Sequence, residues 1–134
     1  MSKANSGFSF PLLAAGALGL TGVALGATGA HVLKATLMER GTMQAWETAA
    51  HYHIFHALAL LGLAAWARAS ASDSNGLIVW IARCWTIGVV FFSASIYWLA
   101  LGGPRWLGPV TPVGGIALMA GWLLVMFVAF AKRG

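Results

Sequence analysis

The chain has 134 residues, of which 60% are hydrophobic and only 8% are charged, and its formal net charge is +5. Soluble domains carry about 25% charged residues, so this composition excludes an ordinary soluble domain and predicts a polytopic membrane protein. The basic residues are scattered at the ends of apolar segments, which argues against a nucleic-acid-binding surface. Cys84 is the only cysteine, so neither an intrachain disulfide nor a cysteine-based zinc site is expected.

Four apolar segments are long enough to cross a bilayer, whose hydrocarbon core of about 30 Å takes about 20 helical residues. The predicted fold is therefore all-α, a four-transmembrane-helix bundle that forms a single membrane domain over residues 1–134. The predicted elements are helix 1 at 10–31, an interfacial segment at 32–45, helix 2 at 47–67, a loop at 68–76, helix 3 at 78–101 and helix 4 at 112–131.

Helix 1 carries a ridge of small residues at spacings of three and four, formed by Ala15, Gly19, Gly22, Gly26 and Gly29. Such a ridge permits the close approach of another helix backbone. Helix packing within the bundle is the favoured interpretation, and a homodimer interface is the alternative. We expect Gly26→Leu to disrupt this packing, because the added side chain would separate the two backbones.

Helix 2 holds three of the four histidines, His51, His53 and His56, within six residues. Counted from the start of the apolar run at about 1.5 Å per residue, His56 lies about 12 Å deep, near the midplane. Ionisable groups at that depth are costly and usually face the protein interior. At about 100° per residue, Tyr52, His53 and His56 share one face, whereas His51 lies on the opposite side beside Glu47.

Polar residues of helices 2 and 3 fall at the same predicted depth. Ser93 and Tyr97 are four residues apart on helix 3, as Tyr52 and His56 are on helix 2. We therefore predict an outward-facing polar binding pocket formed by Tyr52, His53, His56, Ser93 and Tyr97. At least one of Ser93, Tyr97 or Tyr52 should lie within hydrogen-bonding distance of His56, directly or through one water. His56 should be neutral at pH 7, because burial disfavours its charged form. Hydrogen bonds that only hold the helices together are the alternative explanation of these residues.

Metal, cofactor and catalytic roles have less support in the sequence. His31, His53 and His56 are weak candidates for metal ligands, because a third ligand must come from another segment and only His31 qualifies. No cofactor is expected, since a bis-histidine haem needs two deep histidines on facing helices and only His56 is predicted to be deep. No catalytic residue is predicted, because the chain offers no set of nucleophile, base and acid. The expected partners are membrane lipids and a second copy or another membrane protein, and not nucleic acid.

The distribution of basic residues predicts the orientation of the bundle. Four spans put both termini on one side of the membrane, with five basic residues there and three on the other side. The two sets are Lys3, Arg68, Arg83, Lys132 and Arg133, and Lys34, Arg40 and Arg105. By the positive-inside rule, we expect a multi-pass protein of the bacterial inner (plasma) membrane with both termini in the cytoplasm.

Four segments resemble, in the same order, segments of the YgdD-like family of small inner-membrane proteins, which has eukaryotic relatives and no assigned function. Residues 26–31 (GATGAH) resemble its GAFGAH, and residues 52–61 (YHIFHALALL) are similar to its YQxxHxLAxL. Residues 92–97 (FSASIY) resemble its FSGSLY, and residues 111–115 match its TPVGG. The resemblance implies a four-helix membrane fold, and it implies no reaction.

Three positions depart from the family pattern. Thr28 replaces an aromatic residue, His53 replaces a glutamine and Ala94 replaces a glycine.

Two functions are considered for the chain. The first is a non-enzymatic membrane protein that binds a lipid or protein partner through the pocket around His56. The alternative is histidine-dependent handling or transport of a metal ion or protons, although no acidic residue lies deep in a predicted span and no broken-helix repeat is evident.

Overall fold

The computed structural model describes residues 9–70 and 75–131, which are helical throughout their regular structure and contain no strand. The α-helices are α1 (Phe10–Ala30), α2 (Lys34–Glu39), α3 (Met43–Ala69), α4 (Asn75–Val89), α5 (Ser95–Ala100) and α6 (Val110–Ala131). A π-helical turn, Val90–Ala94, joins α4 to α5 without a break, and a 3-10 turn, Arg105–Leu107, precedes α6. The all-α part of the predicted fold is confirmed.

Three helical stretches among the described residues are long and apolar enough to cross a membrane: Phe10–Ala30, Gly76–Ala100 and Arg105–Phe130. The remaining long helix, α3, has 27 residues but is less apolar, because its first half carries three histidines and Glu47. The structure therefore supplies three apolar spans where the sequence predicted four.

Several predicted boundaries differ from those observed. α3 begins at Met43, four residues before the predicted start at 47, so the predicted interfacial segment at 32–45 contains α2 and the first residues of α3. The predicted loop at 68–76 overlaps the ends of α3 and α4, and its residues 71–74 lie outside the described part of the chain. Lys3, Lys132 and Arg133, used to predict the orientation, also lie outside it.

The helices form two closely packed pairs, α1 with α3 and α4 with α6. α3 joins the pairs, because it also contacts α4 and α5. One apolar cluster occupies the end of the bundle nearer the termini and includes Leu60, Ile81 and Trp85. A second, smaller cluster lies under α2, where Leu37 is fully buried against residues that include Trp46.

Two glycines of the α1 ridge are the points at which α1 approaches α3. A Cβ at Gly22 would lie 2.7 Å from Ile54 Cδ1, and a Cβ at Gly29 would overlap the indole of Trp46. That indole is held in place because its Nε1 donates a hydrogen bond to the carbonyl oxygen of Leu25 at 3.0 Å. The packing of α3 therefore excludes a side chain at Gly29, whereas a side chain at Gly22 would require Ile54 to shift.

The other two ridge glycines behave differently. A Cβ at Gly19 or Gly26 would meet nothing within 4 Å. No contact of α3 with a Cβ at Gly26 therefore supports the expected effect of Gly26→Leu on packing within the bundle, and that effect stays a prediction. Space is left beside this residue instead.

A third close approach joins α6 to the π turn. A Cβ at Gly114 would lie 2.8 Å from both the carbonyl carbon of Phe91 and the Cα of Phe92. A Cβ at the neighbouring Gly115 would make only an ordinary contact, 3.7 Å from Phe92 Cδ2. The main chain of α6 thus rests on the main chain of the π turn at one glycine.

Candidate functional site

His53 lies between α1 and α5, and both of its ring nitrogens have partners. Nδ1 is 3.2 Å from the hydroxyl of Tyr97, and Nε2 is 3.1 Å from the hydroxyl of Thr21. Thr21 donates its one hydroxyl proton to the carbonyl oxygen of Ala17 at 2.8 Å, so it accepts a hydrogen bond from His53 Nε2. In a neutral imidazole Nδ1 then accepts from Tyr97, which makes His53 the Nε2–H tautomer. These bonds form one directional chain from α5 through α3 to α1.

His56 faces α6 and also uses both ring nitrogens. Nδ1 is 2.8 Å from the main-chain carbonyl oxygen of Tyr52, and Trp122 Nε1 donates to His56 Nε2 at 3.1 Å. A carbonyl oxygen only accepts and an indole N–H only donates, so His56 is the neutral Nδ1–H tautomer. The rings of Trp85 and Trp122 each lie 6.1 Å from the imidazole, between centroids. His56 is therefore packed between aromatic rings, and both of its ring nitrogens are hydrogen-bonded.

The structure divides the predicted pocket. Tyr97 contacts His53 rather than His56, and Ser93 donates its hydroxyl proton to the carbonyl oxygen of Ala49 at 2.8 Å. Of the three partners predicted for His56, only Tyr52 bonds to it, and it does so through its main-chain carbonyl oxygen. The division arises because residues three apart on a helix point about 60° away from each other, so His53 and His56 meet different neighbouring helices.

Sequence reasoning missed the partners that complete these two networks, Thr21 and Trp122. Each is a hydrogen-bonding side chain within an otherwise apolar helix. A polar atom at membrane depth needs a protein partner, because lipid hydrocarbon supplies none. That requirement is the signal by which Thr21 and Trp122 could have been added to the candidate residues.

The three candidate metal ligands do not come together. No group of three or more His, Cys, Asp and Glu side chains within residues 9–70 and 75–131 could hold a metal ion. His31 follows the last residue of α1 and is exposed, whereas His53 and His56 are buried and engaged as described. The weakly supported metal site of the sequence prediction is therefore not formed by these residues.

A groove of about 360 Å³ runs between α1 and α3. On α1 its lining includes Gly22, Gly26 and Gly29, and on α3 its ionisable lining residues are Glu47 and His51. The rest of its α3 side is mainly apolar and aromatic. The groove exists because Gly26 carries no side chain and α3 leaves the space beside it unfilled. We call this space the α1–α3 groove.

The α1–α3 groove has one polar end and one apolar end. Glu47 has no hydrogen-bond or ion-pair partner among the described residues and is exposed. His51 is exposed one turn further along α3, and its ring stacks on Phe55 at 5.9 Å between centroids. Val23 and Ile54 line the groove as well. Unlike the two buried histidines, Glu47 and His51 retain polar atoms that can bind another molecule.

Comparison with known proteins gives consistent matches over most of the chain. Residues 25–115 match the model of a family described as "Protein of unknown function (DUF423)". The chain is 42% identical over 126 residues to the UPF0382 inner membrane protein YgdD of Escherichia coli strain K12, covering 92% of each chain. It is 38% identical over 112 residues to a UPF0382 membrane protein of Staphylococcus haemolyticus, covering 84% of this chain and 88% of that one. No solved structure matches the chain.

Proposed function

Because the chain belongs to the DUF423 family of UPF0382 membrane proteins, which includes YgdD, we propose that it is a non-enzymatic inner-membrane protein that binds a lipid in the α1–α3 groove. The family match confirms the resemblance carried by the four sequence motifs. Since the family is described as being of unknown function, the proposal of lipid binding depends on the groove itself.

The proposed bundle has four spans, which are the three apolar stretches and α3. Its 27 residues extend about 40 Å, more than the hydrocarbon thickness of a bilayer. The buried His53 and His56 have protein partners for all four ring nitrogens, so the polarity of α3 is largely satisfied inside the bundle. These features support an α3 that crosses the membrane, and hence two termini on the same, cytoplasmic side.

The observation that carries lipid binding is the open space at Gly26. Gly22 and Gly29 are explained by the approach of α3, but a Cβ at Gly26 would meet nothing within 4 Å. The residue instead lines a groove on the surface of the bundle, where the proposed topology exposes it to lipid. The pocket first expected around His56 is a weaker binding site, because the protein's own groups already occupy both imidazole nitrogens.

Lipid retention in native mass spectrometry tests the proposal. We expect the purified full chain to keep one bound lipid, and we expect Gly26→Leu to lose it because the leucine fills the groove. Gly19→Leu is the matched control, since Gly19 lies two turns away on the same ridge and also has an open Cβ position. Equal lipid retention by the wild type and the Gly26→Leu variant would contradict the proposal.

Proton handling by the histidines is the alternative function, and the chain from Tyr97 through His53 to Thr21 is the feature that favours it. The same chain also limits the idea, because Thr21 donates its hydrogen bond to the carbonyl oxygen of Ala17, which cannot take up a proton and release it again. Proton flux into liposomes that contain the protein, abolished by His53→Leu, would establish the alternative. We expect no such flux.

A further inference from the structure

The chemistry of the α1–α3 groove changes along its length in the order in which the parts of a phospholipid follow one another. We infer that the groove takes a phospholipid with a primary ammonium headgroup, as in phosphatidylethanolamine, with the ammonium group on Glu47. The inference rests on the proposed lipid-binding function and adds the class of lipid.

Charge is the first argument. The chain has three acidic and eight basic residues, and Glu47 is the acidic residue that lines the groove. Its side chain has no hydrogen-bond or ion-pair partner among the described residues, so its carboxylate oxygens are free to accept hydrogen bonds. An ammonium group supplies three N–H donors and a compensating charge, whereas an anionic headgroup would be repelled.

The order of groups along α3 is the second argument. At about 1.5 Å per residue, His51 lies about 6 Å beyond Glu47 along the helix and Phe55 about 12 Å beyond it. A phospholipid presents its ammonium group outermost, then its phosphate, then its acyl chains. His51 can donate a ring N–H to a phosphate oxygen, and stacking on Phe55 holds its ring in position. The acyl chain then lies against Val23, Ile54 and Phe55, which line the inner end of the groove.

The same residues argue against a second copy of the chain as the occupant. A two-fold axis along the membrane normal would put the Glu47 side chains of both copies at the same depth beside one interface. Two carboxylates at one interface repel each other. A zwitterionic lipid neutralises Glu47 instead.

Lipid competition measured on the full chain tests the inference. The protein is equilibrated with equal amounts of phosphatidylethanolamine, phosphatidylcholine and phosphatidylglycerol of matched acyl chains, and bound lipid is counted by native mass spectrometry. We expect phosphatidylethanolamine to exceed phosphatidylglycerol by about 1.5- to fivefold, the range given by an ion pair near a surface. Phosphatidylcholine should bind less than phosphatidylethanolamine, because its methylated ammonium group has no N–H to donate.

Substitutions of Glu47 separate the choice of headgroup from groove binding. Glu47→Gln should bring the ratio of the two lipids close to one, chiefly by lowering the amount of bound phosphatidylethanolamine, and Glu47→Lys should favour phosphatidylglycerol. Glu39→Gln is the control, because Glu39 is an exposed acidic residue of α2 that does not line the groove. It should leave the ratio unchanged.

The outcomes distinguish the two levels of the hypothesis. If Glu47→Gln and Glu47→Lys leave the ratio of lipids at its wild-type value while Gly26→Leu still abolishes binding, the choice of headgroup is wrong and the groove stands. If Gly26→Leu retains all three lipids, both the inference and the proposed function are wrong. A dimer that Gly26→Leu dissociates, with no lipid bound to the wild type, would assign the groove to a second copy and overturn the inference.

Discussion

The two buried histidines of α3 differ in the nitrogen that carries the proton. Thr21 makes His53 an Nε2–H tautomer, and the carbonyl oxygen of Tyr52 makes His56 an Nδ1–H tautomer. A difference of this kind does not follow from the sequence, since both residues occupy similar apolar surroundings on the same helix. It follows from which helix each ring faces.

The first prediction is that long-range proton–nitrogen spectra of the labelled protein show the two opposite tautomers. The signal of His56 should report a protonated Nδ1, because a carbonyl oxygen only accepts and an indole N–H only donates, and that of His53 a protonated Nε2, because Thr21 already donates its proton to the carbonyl oxygen of Ala17. Thr21→Val removes the acceptor of His53 and should change its spectrum without affecting that of His56. Identical tautomers in the wild type would contradict the hydrogen-bond directions assigned here.

The second prediction concerns the bond between Trp122 and His56. Trp122→Phe and His56→Leu should each lower the free energy of unfolding in mixed micelles. A double-mutant cycle should give a coupling of about 0.6–2 kcal/mol, the range found for hydrogen bonds between membrane helices. Trp106→Phe is the control, since Trp106 is 70% exposed and lies in the 3-10 turn. Additive effects of the first two substitutions would mean that this contact contributes nothing to stability.

At the scale of helices, glycines mark where one main chain lies on another. The TPVGG segment contains two neighbouring glycines, and the structure gives them different roles. Gly114 rests on the main chain of Phe91 and Phe92, whereas Gly115 has room for a methyl group. The sequence presents the pair as equivalent, because nothing local identifies which glycine faces the π turn.

The third prediction follows from that difference. Gly114→Ala should destabilise the protein by about 1–3 kcal/mol, since the added carbon meets main-chain atoms that cannot move aside easily. Gly115→Ala should be neutral or slightly stabilising, because alanine favours helix and its Cβ makes only ordinary contacts. Thermal unfolding in detergent compares the two variants. Equal effects would mean that α6 does not approach the π turn as closely as described.

At the scale of the whole molecule, the topology depends on the crossing of the membrane by α3. Its histidines lower its hydropathy, but the proposed bundle places the two buried ones against protein. If α3 crosses, residues 31–42 and Ser70 lie on opposite sides of the membrane. If α3 does not cross, residues 31–42 and Ser70 lie on the same side of the membrane, and the two termini lie on opposite sides.

The fourth prediction uses this difference. In a Cys84→Ser background, an impermeant maleimide should label Ala35→Cys in intact cells and Ser70→Cys only after the cells are broken. A periplasm-dependent reporter fused after Gly134 should give no signal, because five basic residues favour cytoplasmic termini. Labelling of both cysteine variants in intact cells would rule out α3 as a span. A strong signal from the reporter would contradict a cytoplasmic C-terminus.

The positions of the long helices could be predicted from the sequence because the length of an apolar run is a local property. The all-α architecture and the family were predicted on that basis and from four motifs. The pairing of Tyr97 with His53 and of Trp122 with His56 could not be predicted, because it depends on the rotation of each helix about its axis. The α1–α3 groove was missed for the same reason, since Glu47 and His51 were placed on the face opposite the expected pocket.

The π turn Val90–Ala94 has a consequence for how one span can be shared. Before the turn, α4 packs chiefly on α6, and after it, α5 packs chiefly on α3. A π turn holds about one residue more than an α turn, and each helical residue advances the side-chain direction by about 100°. The turn therefore rotates the side-chain directions of α5 relative to those of α4 within a continuous helix. Tyr97 of α5 consequently points at His53 of α3, whereas α4 faces chiefly α6. Two segments of one membrane crossing can in this way be fitted to two partners independently.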